Sequence, residues 1–256
     1  MRALIGFGLS LFVAFGARRT RTLSARGAVA AAFVGTLAVA AGWSWCLLLL
    51  SFFATASALS RLGHRQKMER IGSVIEKSAE RDAGQVFANA GVFAAAAIAQ
   101  IMAPSPVWCA IGAGAVSAAA ADTWATEIGT LAGGDPISIV SWRRVTAGTS
   151  GGVSYVGSVA GIAGALFIAV TATLANFPVA FTAVALGGMA GALADSVLGG
   201  TLQARRWCEV CAATTERRVH DCGRPTRLVG GVAGLDNDSV NTACSAVGAL
   251  VALFLS

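Results

Sequence analysis

The chain is poor in charge. Only 12% of its 256 residues are Asp, Glu, Lys or Arg, roughly half the share usual in soluble globular domains. With 55% hydrophobic residues and a mean hydropathy of +0.69, a sizeable soluble domain is excluded. Proline is also scarce, and none of the five prolines falls inside a long apolar run, where it would break helix hydrogen bonding. There is no G-x-x-x-x-G-K-[ST] sequence, so a P-loop is excluded. No convincing A-x-A site follows the first apolar run, which is therefore expected to be retained as a helix. The net charge of +6 is better explained by membrane topology and attraction to anionic headgroups than by nucleic acid, and no nucleic-acid partner is expected.

The basic residues that are present lie in blocks. Of 19 Lys and Arg residues, all but Arg2 lie in four stretches at about 17–26, 61–82, 131–150 and 201–237. Basic loops stay on the cytoplasmic face. Between them the chain must turn back through uncharged corners at Ala41-Gly42-Trp43, Ala103-Pro104-Ser105-Pro106 and Asn176-Phe177-Pro178. This predicts a single all-α polytopic membrane domain over 1–256, with about eight transmembrane helices near 3–17, 27–41, 43–61, 83–102, 107–130, 152–175, 179–200 and 239–255. Residues 27–61 as one helix would run about 52 Å, too long for a hydrocarbon core of about 30 Å, so a break is placed at Gly42. The 61–82 stretch reads as a solvated helical connector, although Glu76–Glu80 and Lys77–Arg81 are like-charge pairs that disfavour an isolated helix.

Acids inside apolar segments are costly and mark sites. Asp122 and Glu127 lie in AADTWATEIG and Asp195 in GALADSVLGG. Asn89 lies near the start of the fourth predicted helix, and Asp236, Asp238 and Asn241 lie at the start of the eighth. In the predicted topology all converge at one depth below the basic loops. Carboxylates gathered this way need a cation, and hard oxygen ligands suit Mg²⁺. The alternative is that some merely cap helices or pair with loop arginines, Asp236 and Asp238 above all.

Two loops add chemistry. In GGDPISIVSWRRVTAGTSGGVS, Arg143 and Arg144 offer guanidinium forks. Gly148, Thr149, Ser150, Gly151 and Gly152 feed the next helix, where a flexible turn and a phosphate cradle are the competing readings. Cys208, Cys211, His220 and Cys222 match a structural Zn²⁺ site; a redox pair or unliganded thiols are the alternatives. Cys46, Cys109 and Cys244 read as packing residues, and His64 has no assigned role.

With these motifs in view, the chain resembles the transmembrane protein 19 family, which includes plant phytyl-phosphate kinases. The resemblance runs from about Arg61 to the C-terminus through ERDAGQVFANAGV, AADTWATEIG, GGDPISIVSWRRVTAGTSGGVSYVG, GALADSVLGGTLQ and GGVAGLDNDSVN. More distantly, the order of motifs is similar to that of dolichol kinases and CDP-diacylglycerol synthases. The resemblance implies a membrane kinase that transfers a phosphoryl group from a nucleoside triphosphate, CTP or ATP, to a phytyl-, geranylgeranyl- or farnesyl-type prenyl monophosphate.

On that reading Asp122, Asp195, Asp236 and Asp238 hold Mg²⁺, and Arg143, Arg144 and Gly148–Gly152 hold phosphates. Asn89, Asn237 and Asn241 orient ligands, and Glu127 is a supporting carboxylate. The site faces the cytoplasm of an integral membrane protein, membrane lipids are partners, and a homo-oligomer is compatible with the sequence. The competing functions are a lipid-phosphate or ion transporter and a CTP-dependent nucleotidyltransferase.

Overall fold

The structure, a computed structural model, describes residues 1–71 and 80–256. The charge pairs involving Glu76 and Lys77 lie outside the described residues. Among these the chain forms α1 (Arg2–Arg19), α2 (Ala25–Ala41), α3 (Trp43–Arg61), α4 (His64–Ile71), α5 (Ala83–Met102), α6 (Pro106–Ala132), α7 (Tyr155–Leu174), α8 (Phe181–Thr201) and α9 (Asn237–Phe254). The eight long helices fall within a few residues of the expected segments. Gly42 separates α2 from α3 at φ 153° and ψ 162°, a backbone region open essentially to glycine. The first turns are capped by local chemistry. Ser24, Ser105, Ser154 and Asp236 accept backbone N–H bonds, and Asp82 and Gln85 form a capping box, each satisfying donors that the helix itself leaves open.

Four helices (α3, α5, α7 and α8) are long and apolar enough to cross a membrane, and α2 is a shorter apolar helix. α6 has a different composition because of its position. It packs against α3, α5, α7, α8 and α9, and from Cys109 to Ala121 only Ile111 escapes full burial. Small residues there let backbones approach closely, which bulky lipid-facing side chains would prevent.

The four basic stretches gather at one end of the bundle. Arg61 donates to Thr20 O and to Thr22, Arg18 pairs with Glu80 at 3.0 Å, and Arg70 donates to Thr130 O at 3.0 Å. The uncharged corners meet at the opposite end. There Ser44 donates to Ala175 O at 2.7 Å, and the Trp45 ring lies 5.1 Å from Phe93 and 5.2 Å from Phe177.

The all-α expectation needs one correction. The two longest basic loops contain short strands: β1 (Ile137–Ser138) pairs with β2 (Gly152–Val153), and β3 (Arg205–Cys208), β4 (Ala213–Thr215) and β5 (Arg227–Gly230) form an antiparallel sheet ordered β4-β3-β5. Sequence reading left these as loops because the strands are two to four residues long and show no sustained alternation.

Candidate functional site

α6 and α8 pack side by side and both end at the basic pole. Their inner turns bring the carboxyl groups of Asp122 and Asp195 close enough to act on each other. One oxygen, Asp195 Oδ1, is buried and has no partner among the described residues. Two carboxyl groups in contact need a proton or a cation between them. A third carboxylate, Glu216, lies close enough to act on Asp195 electrostatically and accepts a hydrogen bond from the Ser150 hydroxyl. An orphaned buried oxygen in a pair of carboxyl groups fits a hard divalent cation such as Mg²⁺.

Asp122 and Asp195 stand in the wall between two cavities. One, of about 410 Å³, is also lined by Gly148–Gly152, Ser154, Arg70 and Glu216. The other, of about 800 Å³, is lined by Lys67, Arg81, Asp82, Gln85, Asn89, Arg206, Arg218, Asp236 and Asn241. Asn237 and Glu216 line both. An apolar groove of about 380 Å³ between α1, α2, α3 and α5 shares Phe52, Arg81, Gln85 and Asn89 with the larger cavity. The rest of the groove is almost wholly hydrocarbon and runs from Trp43 and Val39 to Leu23 and Phe52. It therefore extends from the uncharged corner to the basic end.

Several expected residues are brought together. Asp122, Asp195, Asn89, Asn237, Asn241, Asp236 and Gly148–Gly152 all line this pair of cavities. The glycine turn is pressed onto α8. Gly151 adopts φ +77°, and a Cβ there would lie 2.6 Å from Gly200 N. Two of its N–H groups, those of Thr149 and Gly152, are spent on turns to Thr146 O and Thr149 O, so the cradle is less open than its composition implies. Gly151→Ala is expected to cost about 2 kcal/mol through positive φ and crowding, read as a lower thermal midpoint in detergent; an unchanged midpoint would show that the loop can move off α8.

Other expectations need correction. The four aspartates do not form one ligand set. Among the described residues no group of three or more carboxylates is close enough to share an ion. Asp236 spends an oxygen capping α9 through the N–H and hydroxyl of Ser239. Asp238 turns toward Gly84 and Asp82 at the start of α5 and lines neither cavity. Arg143 and Arg144 lie beside Trp142, which is 81% exposed, on an exposed turn after β1 and line neither cavity either. The arginines that line the larger cavity are Arg81, Arg206 and Arg218. The guanidinium of Arg81 donates to Ala56 O, and its backbone pairs with Thr22 and Ser24. The only advance signal for Arg81 was its position in the ERDAGQVFANAGV motif; Glu216 and Arg218 lay unremarked inside the cysteine loop.

Glu127 also lines the larger cavity, but there it is held in a pair. It forms an ion pair with Lys67, whose ammonium is buried and also donates to Leu59 O at 2.7 Å. This pins α4 across α6. Lys67→Ala would leave Glu127 partly buried and unpaired, and is expected to cost about 3–5 kcal/mol. A lowered thermal midpoint, partly restored by adding Glu127→Gln, is the expected result; no shift would place the pair in solvent.

Three comparisons bear on identity. Protein PGR of Arabidopsis thaliana is 28% identical, over 94% of this chain and 91% of that protein. An uncharacterized membrane protein of Synechocystis sp. is 32% identical over 66% of each chain, and one of Methanocaldococcus jannaschii is 29% identical over 73% of this chain and 77% of its own. No solved structure matches the chain. An integral membrane family model spans residues 8–249 and so takes in most of α1 and α9, all of α2 to α8, both cavities and the acid pair. The chain belongs to the integral membrane protein DUF92 family, which includes the transmembrane protein 19-like proteins.

Proposed function

We propose that this protein is a Mg²⁺-dependent kinase that phosphorylates a prenyl monophosphate to the diphosphate at the cytoplasmic end of an eight-crossing bundle. One observation carries the reading: the apolar groove opens at Arg81, Gln85 and Asn89 into the cavity walled by Asp122 and Asp195. A molecule matching that surface has a hydrocarbon chain and an anionic head. The eight-crossing topology rests on the eight long helices and on the gathering of the basic stretches at one end, which the positive-inside rule assigns to the cytoplasm.

In this reading the chain of the lipid lies in the groove, and its phosphate meets Arg81 and Asn89. The nucleoside triphosphate enters from the cytoplasm against Gly148–Gly152, on the far side of the acid pair. An oxygen of the lipid phosphate attacks the γ-phosphorus, the bond to the β-phosphate oxygen breaks, and a nucleoside diphosphate leaves. The nucleophile is already an anionic oxygen, so no strong general base is required, and the protein contributes alignment and charge neutralisation. Arg206 and Arg218 offset the negative charge collected in the larger cavity. Asp122 and Asp195 would hold Mg²⁺, which when bound would neutralise the oxygens of the transferring phosphoryl group.

The test uses purified protein in detergent, with Mg²⁺, phytyl, geranylgeranyl or farnesyl monophosphate, and CTP or ATP. The nucleotide is labelled either at the γ-phosphate or in the base. A γ-labelled prenyl diphosphate is the expected product. Transfer of base label to the lipid would establish nucleotidyl transfer instead, and turnover of neither label with any of these lipids would favour transport.

A further inference from the structure

The segment between α8 and α9 cannot hold its shape by hydrophobic burial. It has roughly 35 residues, and units below about 40 residues usually need a metal or disulfides. Few of its side chains are buried, chiefly Gln203, Cys208, Thr215 and His220, while Val210, Val219, Leu228 and Val229 are exposed. Yet it forms the β4-β3-β5 sheet and sets Arg206, Glu216 and Arg218 along the cavities. Something other than a core must fasten it.

Four side chains meet at one point in this segment. The ligand atoms of Cys208, Cys211, His220 and Cys222 all lie within 4.8 Å of one another. Cys208 Sγ is 3.6 Å from Cys222 Sγ, and His220 Nδ1 is 3.4 Å from Cys222 Sγ. Tetrahedral bonds of about 2.3 Å to sulfur and about 2.05 Å to nitrogen place two sulfurs about 3.8 Å apart and a sulfur and nitrogen about 3.6 Å apart. The spacings are thus those of side chains sharing one ion, and the sulfurs are not bonded to each other.

Each pair comes from its own tight turn. Cys208 ends β3 and Cys211 follows in the turn to β4, with Ala212 at φ 48°. His220 and Cys222 sit on a turn closed by His220 N to Arg224 O and Gly223 N to His220 O.

We infer that Cys208, Cys211, His220 and Cys222 bind one structural Zn²⁺ that staples together the two turns of the α8–α9 segment and so holds its fold. Three thiolates and an imidazole suit zinc rather than a hard cation. Four protein ligands leave no open position, so the ion does no chemistry of its own. Its further role, holding Arg206, Glu216 and Arg218 beside the acid pair, rests on the proposed kinase reading; the zinc site itself does not.

The full chain, purified in detergent without a polyhistidine tag and under reducing conditions, is analysed for metals by mass spectrometry. About one zinc per chain is expected, falling at least fivefold in Cys208→Ser and in His220→Ala but unchanged in Cys244→Ser. To make the test independent of the folding of those variants, the wild-type chain is also loaded with Co²⁺ alone, and the ligand-field spectrum of a tetrahedral thiolate-rich site should appear. Zinc-stripped protein should become sensitive to trypsin at Arg217 and Arg218. Absence of both zinc and the cobalt spectrum in the wild-type chain, or a Cys208–Cys222 disulfide in protein kept reduced, would overturn the assignment. If zinc is present but no lipid phosphate is turned over, the metal site stands and the kinase reading fails.

Discussion

Asp122→Asn and Asp195→Asn are each expected to lower prenyl-phosphate phosphorylation by roughly 10³-fold or more while leaving the bundle folded. The pair is the point where α6 and α8 bring two carboxyl groups into contact between two cavities, and Asp195 Oδ1 has no partner among the described residues. Removing one charged oxygen ligand from a site that stabilises phosphoryl transfer forfeits several kcal/mol, and each 1.36 kcal/mol is a factor of ten in rate. Asparagine keeps the volume and one oxygen. It also relieves any repulsion between the acids, so the folded state should lose little. The pattern to look for is a collapse in kcat at an unchanged or raised thermal midpoint. Near-normal turnover in either variant would remove that aspartate from the site.

Arg81→Gln is expected to raise KM for the lipid phosphate by about 10- to 100-fold and to change KM for the nucleotide little. The side chain sits where the apolar groove meets the polar cavity, and a charge-assisted hydrogen bond is worth about 1.5–3 kcal/mol. A companion variant separates head from tail. Ala31 lines the groove but not the polar cavity, so Ala31→Phe should impair turnover of a phytyl or geranylgeranyl monophosphate and spare a short-chain prenyl monophosphate. Arg81→Lys should recover part of the lost affinity. Equal losses for lipid and nucleotide in Arg81→Gln would mean that the residue holds the fold through its contacts with Ala56, Thr22 and Ser24 rather than the substrate.

What could be read from the sequence followed the local rules. Helix ends lie at Ser, Asp, Pro and Gly, whose chemistry acts over three or four residues, so Gly42, Ser105-Pro106 and Asp236 marked boundaries directly. The meeting of Asp122 and Asp195 was legible because two helices running the same way place acids near their C-terminal ends at one depth. The rest depended on how loops fold back. Nothing local distinguishes Arg143 and Arg144, left exposed beside Trp142, from Arg206 and Arg218, carried into a cavity wall by a sheet. Asp238 was a reasonable ligand candidate until α9 turned it toward Gly84 and Asp82. Glu216 was hidden because its partners, Ser150 and Asp195, lie 66 residues away in one case and on another helix in the other. The four-ligand cluster was legible from spacing alone, since it is built by two short turns.

The most direct measurement replaces Mg²⁺ by Mn²⁺ in the purified protein and records pulsed electron–nuclear resonance with a prenyl monophosphate present. A single tightly bound Mn²⁺ showing coupling to the phosphorus of the lipid, lost in both Asp122→Asn and Asp195→Asn, is the predicted result. Mn²⁺ binding that survives both substitutions, or a bound ion with no phosphorus coupling from the lipid, would contradict a cation held between the acid pair and the lipid phosphate.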